Sequence, residues 1–143
     1  MHLPMSFNNN RTGELWKNFI PRYRDIPVKN SDDLYSVEVY PAGFFKRFDP
    51  DTPFQKWAGV EVPANAEWQE GLEQLIIPSG AYAVFLHRGP AAEAGITYQY
   101  IFEKWFPLSG YMIDDRPHFA VMGPKYKPAS AESEEEIFIP LRR

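Results

Sequence analysis

The chain contains no cysteine, which removes disulfides, thiolate nucleophiles and thiolate metal sites together. A cysteine-free chain fits a reducing compartment, so a cytoplasmic location is expected. No apolar run approaches the length that spans a bilayer, and the N-terminus lacks the basic-then-apolar order of a secretory signal. No membrane partner is therefore expected. Lys and Arg nowhere form a stripe, and the formal charge of −4 argues against nucleic acid as a partner. A Gly-rich phosphate loop, a Ser-His-Asp ordering and a metal-ligand motif are also missing. His87 and His118 stand isolated in the sequence, and read as ordinary histidines rather than as a base or metal ligands. No catalytic residue, metal or cofactor is assigned from motifs, and the chain is not expected to be an enzyme.

Aromatic side chains are what the chain has in surplus. Eight Tyr, eleven Phe and four Trp make up 16% of the residues. That exceeds the needs of a small core and suits an aromatic-lined pocket. With 44% hydrophobic and 24% charged residues over 143 positions, the composition is that of one globular domain with a core of its own.

A repeat organises the chain. Glu14-Leu15-Trp16-Lys17-Asn18-Phe19-Ile20-Pro21 and Ile101-Phe102-Glu103-Lys104-Trp105-Phe106-Pro107 both read as helices ending in large apolar residues and a proline, 86 positions apart (107 − 21). A strand-like run precedes each helix: His2 to Phe7, then Ala81 to His87. Two more follow each: Asp33 to Tyr40 and Lys56 to Val62, then His118 to Met122 and Glu136 to Leu141. This order predicts a duplicated strand–helix–strand–strand unit, with repeat one over about 1–63, a linker over 64–79 and repeat two over about 80–143. Two such halves would face each other across a groove.

Local signals set the expected boundaries. Asn10 or Thr12 caps the first helix, Pro21 closes it, and Arg22 to Asp32 is a loop. The second helix runs from Ala94 or Ile96 to Trp105, and Gly110 suits a positive φ beyond it. Leu75 to Ile77 is compatible with a short strand, and Pro140 places the end of the last strand near an edge. Alternation puts Tyr35, Val37 and Val39 on one face, with Ser36 and Glu38 on the other. Likewise Ala58, Val60 and Val62 oppose Trp57, Gly59 and Glu61. The acidic run at Glu132 and Glu134 to Glu136 reads as solvated surface.

Three segments carry a family resemblance: Trp105-Phe106-Pro107-Leu108-Ser109-Gly110-Tyr111, Phe119-Ala120-Val121-Met122 and Glu135-Glu136-Ile137-Phe138-Ile139-Pro140-Leu141. They resemble the gyrase-inhibitor-like small-molecule-binding domain, which also serves as the effector-binding domain of AraC-type and MerR-type bacterial regulators. Leu34 to Tyr40, Trp57 to Val62 and Gly80 to Phe85 extend the likeness over nearly the whole chain. The resemblance implies an α+β fold of two strand–helix–strand–strand repeats related by a pseudo-two-fold axis. It implies a curved antiparallel sheet, two main helices and a central groove that takes lipophilic aromatic, often cationic, compounds. It also implies a buried carboxylate at the second position of a Phe-Glu-x-Tyr motif. Here that position is Ala120, and the tyrosine position is Met122.

Losing that carboxylate removes the main physical basis for selecting cations, because a cation offsets the cost of a charge buried in an apolar groove. The candidate ligand contacts are Tyr35, Trp57, Phe102, Trp105, Ala120 and Met122. Glu61 or Glu38 is the candidate replacement carboxylate, although alternation places both opposite the apolar strand face. Trp16 and Phe19 are read as core. The expected function is a stand-alone module, monomeric or homodimeric, that binds a small lipophilic ligand for sequestration or sensing. The alternatives are a hydrolase of reactive natural products, an inhibitor that contacts DNA gyrase, and, by fold analogy alone, a haem binder.

Overall fold

The computed structural model describes residues 1–67 and 69–142; Trp68 of the linker and the terminal Arg143 lie outside the described residues. The elements follow the doubled order. First come β1 (His2–Met5), α1 (Thr12–Phe19), β2 (Leu34–Val39) and β3 (Phe54–Gly59). Then come β4 (Tyr82–Arg88), α2 (Ala94–Tyr100), α3 (Phe106–Ser109), β5 (Met112–Ile113), β6 (His118–Met122) and β7 (Glu134–Arg142).

Leu15 and Phe19, one helical turn apart, bury the inner stripe of α1, each 1% exposed. At its start the Asn10 side chain accepts from the Thr12 N–H at 3.0 Å, and Glu14 is held by Arg11. Pro21 does not end the helical path. The chain tightens into a 3₁₀ turn over Ile20–Asp25, with the proline in its first turn, where a missing N–H removes no bond. The expected loop therefore begins only after Asp25.

The second helical rod runs past Trp105. Between α2 and α3 lies a π-helical turn, Ile101–Trp105, in which the Phe106 N–H donates to the Ile101 carbonyl. That wider turn accommodates Pro107 inside the rod, where a regular i→i−4 ladder would lack one donor. Gly110, at φ 78°, ends the rod in the left-handed region.

The strands form one open, curved antiparallel sheet in the order β1-β3-β2-β6-β7-β4, with β5 paired to β7 beyond the end of β6. The order is symmetric: the first, second and third strands of each repeat occupy equivalent places about an axis between β2 and β6. Across that seam Ser36 faces Ala120, Tyr35 faces Val121, and Val37 faces Phe119. Thus Tyr35-Ser36-Val37 and Phe119-Ala120-Val121, each aromatic–small–valine, exchange places about the axis.

Both helices cover one face. Leu15 and Phe19 pack with Leu3, Met5, Phe44, Phe54 and Ala58, forming one core. Ile101 and Phe106 pack with Ala120, Ile137 and Ile139, forming a second. The seam between these cores is where the halves meet.

Several expected details change. The third strand of repeat one is Phe54–Gly59 and not Lys56 to Val62, so Glu61 lies past its end and is exposed. Leu75 to Ile77 adopts no regular structure. Pro140 lies on an interior strand, paired with Tyr82 of β4. It is tolerated because β6 pairing stops at Phe138 and β5 pairing starts at Leu141, leaving a gap in the ladder on its N–H side.

Candidate functional site

The face of each strand follows from register and burial. Phe54, Lys56 and Ala58 are the buried residues of β3, and Lys56 and Ala58 pair with Glu38 and Ser36. Those two in turn pair with His118 and Ala120 of β6. Glu38, Lys56, His118, Ala120 and Met122 therefore share the face that the helices cover, and each is under one-tenth exposed.

This reverses the expectation for β2. Glu38 was placed away from the core by alternation, yet it is buried, while Val37 beside it is buried on the other face between Trp57 and Phe119. Buried residues occur on both faces of β2, so alternation alone could not say which face the helices cover.

Glu38 is not a free carboxylate. The Lys56 Nζ donates to its Oε1 at 2.6 Å, and the two side chains are 11% and 10% exposed. Burial pushes the Tyr40 and Tyr98 hydroxyls well above their ordinary pKa, and the nearby Glu38 carboxylate raises both further. Glu135 of β7 lies on the same face, two positions from buried Ile137. Burial raises its carboxyl above the usual range, while His87 and Lys56 act to lower it. It is half-buried and paired across the ladder with His87, so this member of the acidic run is not a solvated charge.

His87 is a structural histidine. Its Nε2 donates to the Pro90 carbonyl at 3.0 Å, and its Nδ1 hydrogen-bonds the Thr97 hydroxyl at 2.7 Å. Among the described residues His118 has no such polar anchoring. Burial drives its pKa down to about 3, so at neutral pH it presents an uncharged ring.

Above this floor lies an aromatic stack. The segment joining β2 to β3 turns at Gly43 (φ 74°), whose N–H donates to Asp115 of the second repeat at 3.3 Å. It carries Phe45 across the seam. The Phe45 ring lies between Phe102, at 5.1 Å and 15°, and His118, at 5.3 Å and 22°. Tyr40 meets the Phe45 and His118 rings edge-on. Beside this β2–β3 segment a pocket of about 20 Å³ remains next to Tyr40, Phe45, Arg116 and His118, room for a single water.

The structure divides the sequence-based candidates. Phe102 and Glu38 reach the seam beside His118, whereas Met122 pairs with Leu34, four positions along β6 from His118 and away from the stack. Ala120, 2% exposed, is part of the second core beneath the rod. Trp105 packs edge-on against Phe85 at 5.1 Å, toward the β4 edge rather than the seam.

Tyr35 and Trp57 lie on the opposite face of the sheet. Tyr35 contacts Phe119 there, and Trp57 stacks on His2 at 4.3 Å. Burial first, and then the Glu61 charge, raise the pKa of the Tyr35 hydroxyl. Tyr40, Phe45, Lys56, Tyr98, His118 and Glu135 were not among the candidates. The aromatic content of the 44–54 segment was their one local signal; the others depend on pairing across strands.

Comparison with known proteins agrees with this architecture. A solved structure of a proposed bacterial transcription regulation protein from Staphylococcus aureus MU50 superposes with a TM-score of 0.64 at 13% identity, covering 100% of this chain and 90% of that one. At that identity the match speaks for the fold. Transcriptional regulator BrlR of Pseudomonas aeruginosa PAO1 is 26% identical over 131 residues, covering 90% of this chain. The chain spans about half the length of that curated relative, 46%. The family model described as Cass2, integron-associated effector binding protein, matches residues 3–141. With both repeats inside that match, the chain belongs to the family of integron-associated effector-binding proteins.

Proposed function

We propose that the chain acts as one effector-binding domain, with repeats over about 1–63 and 80–143, which takes a planar aromatic compound at the seam between its halves for sensing or sequestration. The observation that carries this reading is the Phe45 ring between Phe102 and His118, nearly parallel to both. Two flat walls that hold a planar ring make a slot suited to any ring of that thickness, and the chain fills it with a residue from a connecting segment rather than from a core strand. Membership in an effector-binding family and the match to part of a transcriptional regulator support the same reading. Phe102 and His118 would line the site, Tyr40 would close its edge, and Glu38 would lie in its floor.

Equilibrium dialysis with 1-methylnaphthalene tests it. Saturable binding at micromolar levels that weakens roughly 2-fold to 13-fold in Phe102→Ala, the loss of one stacking wall worth about 0.5–1.5 kcal/mol, is expected. Binding that never saturates, or that ignores Phe102→Ala, would sink the proposal.

A further inference from the structure

The floor of the seam holds a completed ion pair beneath the aromatic slot. Lys56 and Glu38 are direct cross-strand partners, joined at 2.6 Å and both about nine-tenths buried. Lys56 lies between Phe54 and Ala58 along β3 and opposite Leu3 of β1, all core residues, so its ammonium cannot swing out as a surface lysine does. Such an ammonium occupies the place that a ligand's positive charge would otherwise take. A lipophilic cation entering the slot meets attraction from Glu38 and repulsion from Lys56, which largely cancel in a weakly screened site. A neutral ring encounters neither, and keeps its stacking. Glu135 and His87 also face the cluster from β7 and β4; both stay constant in the comparisons below.

We propose that Lys56 is the charge-selecting residue of this groove: by holding Glu38 from within the fold, it makes neutral planar aromatic compounds the preferred ligand class. This rests on the binding reading above and adds the sign of the ligand to it.

The test compares three bicyclic probes of similar shape by equilibrium dialysis: neutral 1-methylnaphthalene, cationic 1-methylquinolinium and anionic 1-naphthoate. Lys56→Met should lower the cation-to-neutral ratio of Kd values at least about tenfold, because Glu38 then meets the cation alone. Glu38→Gln should do the same for the anion-to-neutral ratio, because Lys56 is then uncompensated. Lys56→Arg should keep the wild-type ratios, and so should the double variant Lys56→Met with Glu38→Gln.

Circular dichroism accompanies each variant, since a lone buried charge strains the fold. If Lys56→Met unfolds, the naphthoate measurement on Glu38→Gln decides. Ratios that stay within about twofold of wild type in the folded single variants overturn the proposal. If 1-methylnaphthalene binds with those ratios unchanged, charge selection alone falls. If it fails to bind the wild type, the binding reading falls as well.

Discussion

Replacing Phe45 by alanine distinguishes a plug from a wall. If the ring occupies the ligand's slot, its removal takes away an internal competitor. Phe45 makes two stacked contacts, with Phe102 and His118, each worth about 0.5–1.5 kcal/mol beyond its buried area. Together they favour the closed slot by about 1–3 kcal/mol, so an open slot is populated only about 15% to 0.6% of the time. A ligand that needs the open slot binds more weakly by that fraction, and Phe45→Ala should therefore tighten its Kd roughly 6-fold to 160-fold. The same change should lower stability without ligand by about 1–3 kcal/mol, since the stacking is lost. Calorimetric titration with 1-methylnaphthalene reads the first quantity and urea unfolding the second. Tighter binding alongside weaker folding is the expected signature. Binding that weakens or stays level as stability falls would refute the plug, and would make Phe45 a wall of the site or plain core.

Three further outcomes follow from the same geometry. Truncating either member of the buried Glu38–Lys56 pair to alanine should cost about 3–5 kcal/mol in urea unfolding, whereas replacing both with leucine should cost far less, because no charge is then left unpaired. Folded His118 has a pKa of about 3 against 6.5 unfolded, so the unfolded chain binds the extra proton first, and stability is present above pH 6.5 and lost as pH falls toward 3. Between pH 7 and 5 wild type should lose about 2 kcal/mol more than His118→Gln, and equal losses would contradict the buried neutral ring. Glu135, with its raised pKa, works in the opposite sense and cancels in that comparison. Gly110→Ala should destabilise by about 1 kcal/mol and Gly110→Asn by less, from backbone conformation alone, since a Cβ there meets nothing within 4 Å.

Much of the fold was legible locally. Leu15 and Phe19, and likewise Ile101, Phe102, Trp105 and Phe106, sit at helical spacing; His118 to Met122 alternates, and β6 has those bounds. Duplication was visible because each repeat writes its helix in the same large apolar residues. Prolines misled: Pro21 and Pro107 both lie within helical paths, one in a 3₁₀ turn and one after a π turn, and neither accommodation has a marker in local spacing.

The site was less legible, for a physical reason. Alternation gives two faces of a strand without saying which one a helix covers. On β2 the apolar face, with Tyr35 and Val37, proved to be the one without helices, and the face with Ser36 and Glu38 the one beneath them. Polar Glu38 could take that place because Lys56 stands opposite it on β3, a partner 18 positions away in the chain. Phe45 could not be placed either, since its neighbours are Phe102 of the second rod and His118 of β6.

By itself, then, the sequence determined the doubled strand–helix–strand–strand order and the family. Both are written in short-range spacing and motifs. Tertiary structure alone decided which carboxylate lies in the seam, that its charge is already met by Lys56, and which ring fills the slot. Each of those depends on the register between β2, β3 and β6 and on one strap crossing between the halves, where residues distant in the chain become neighbours.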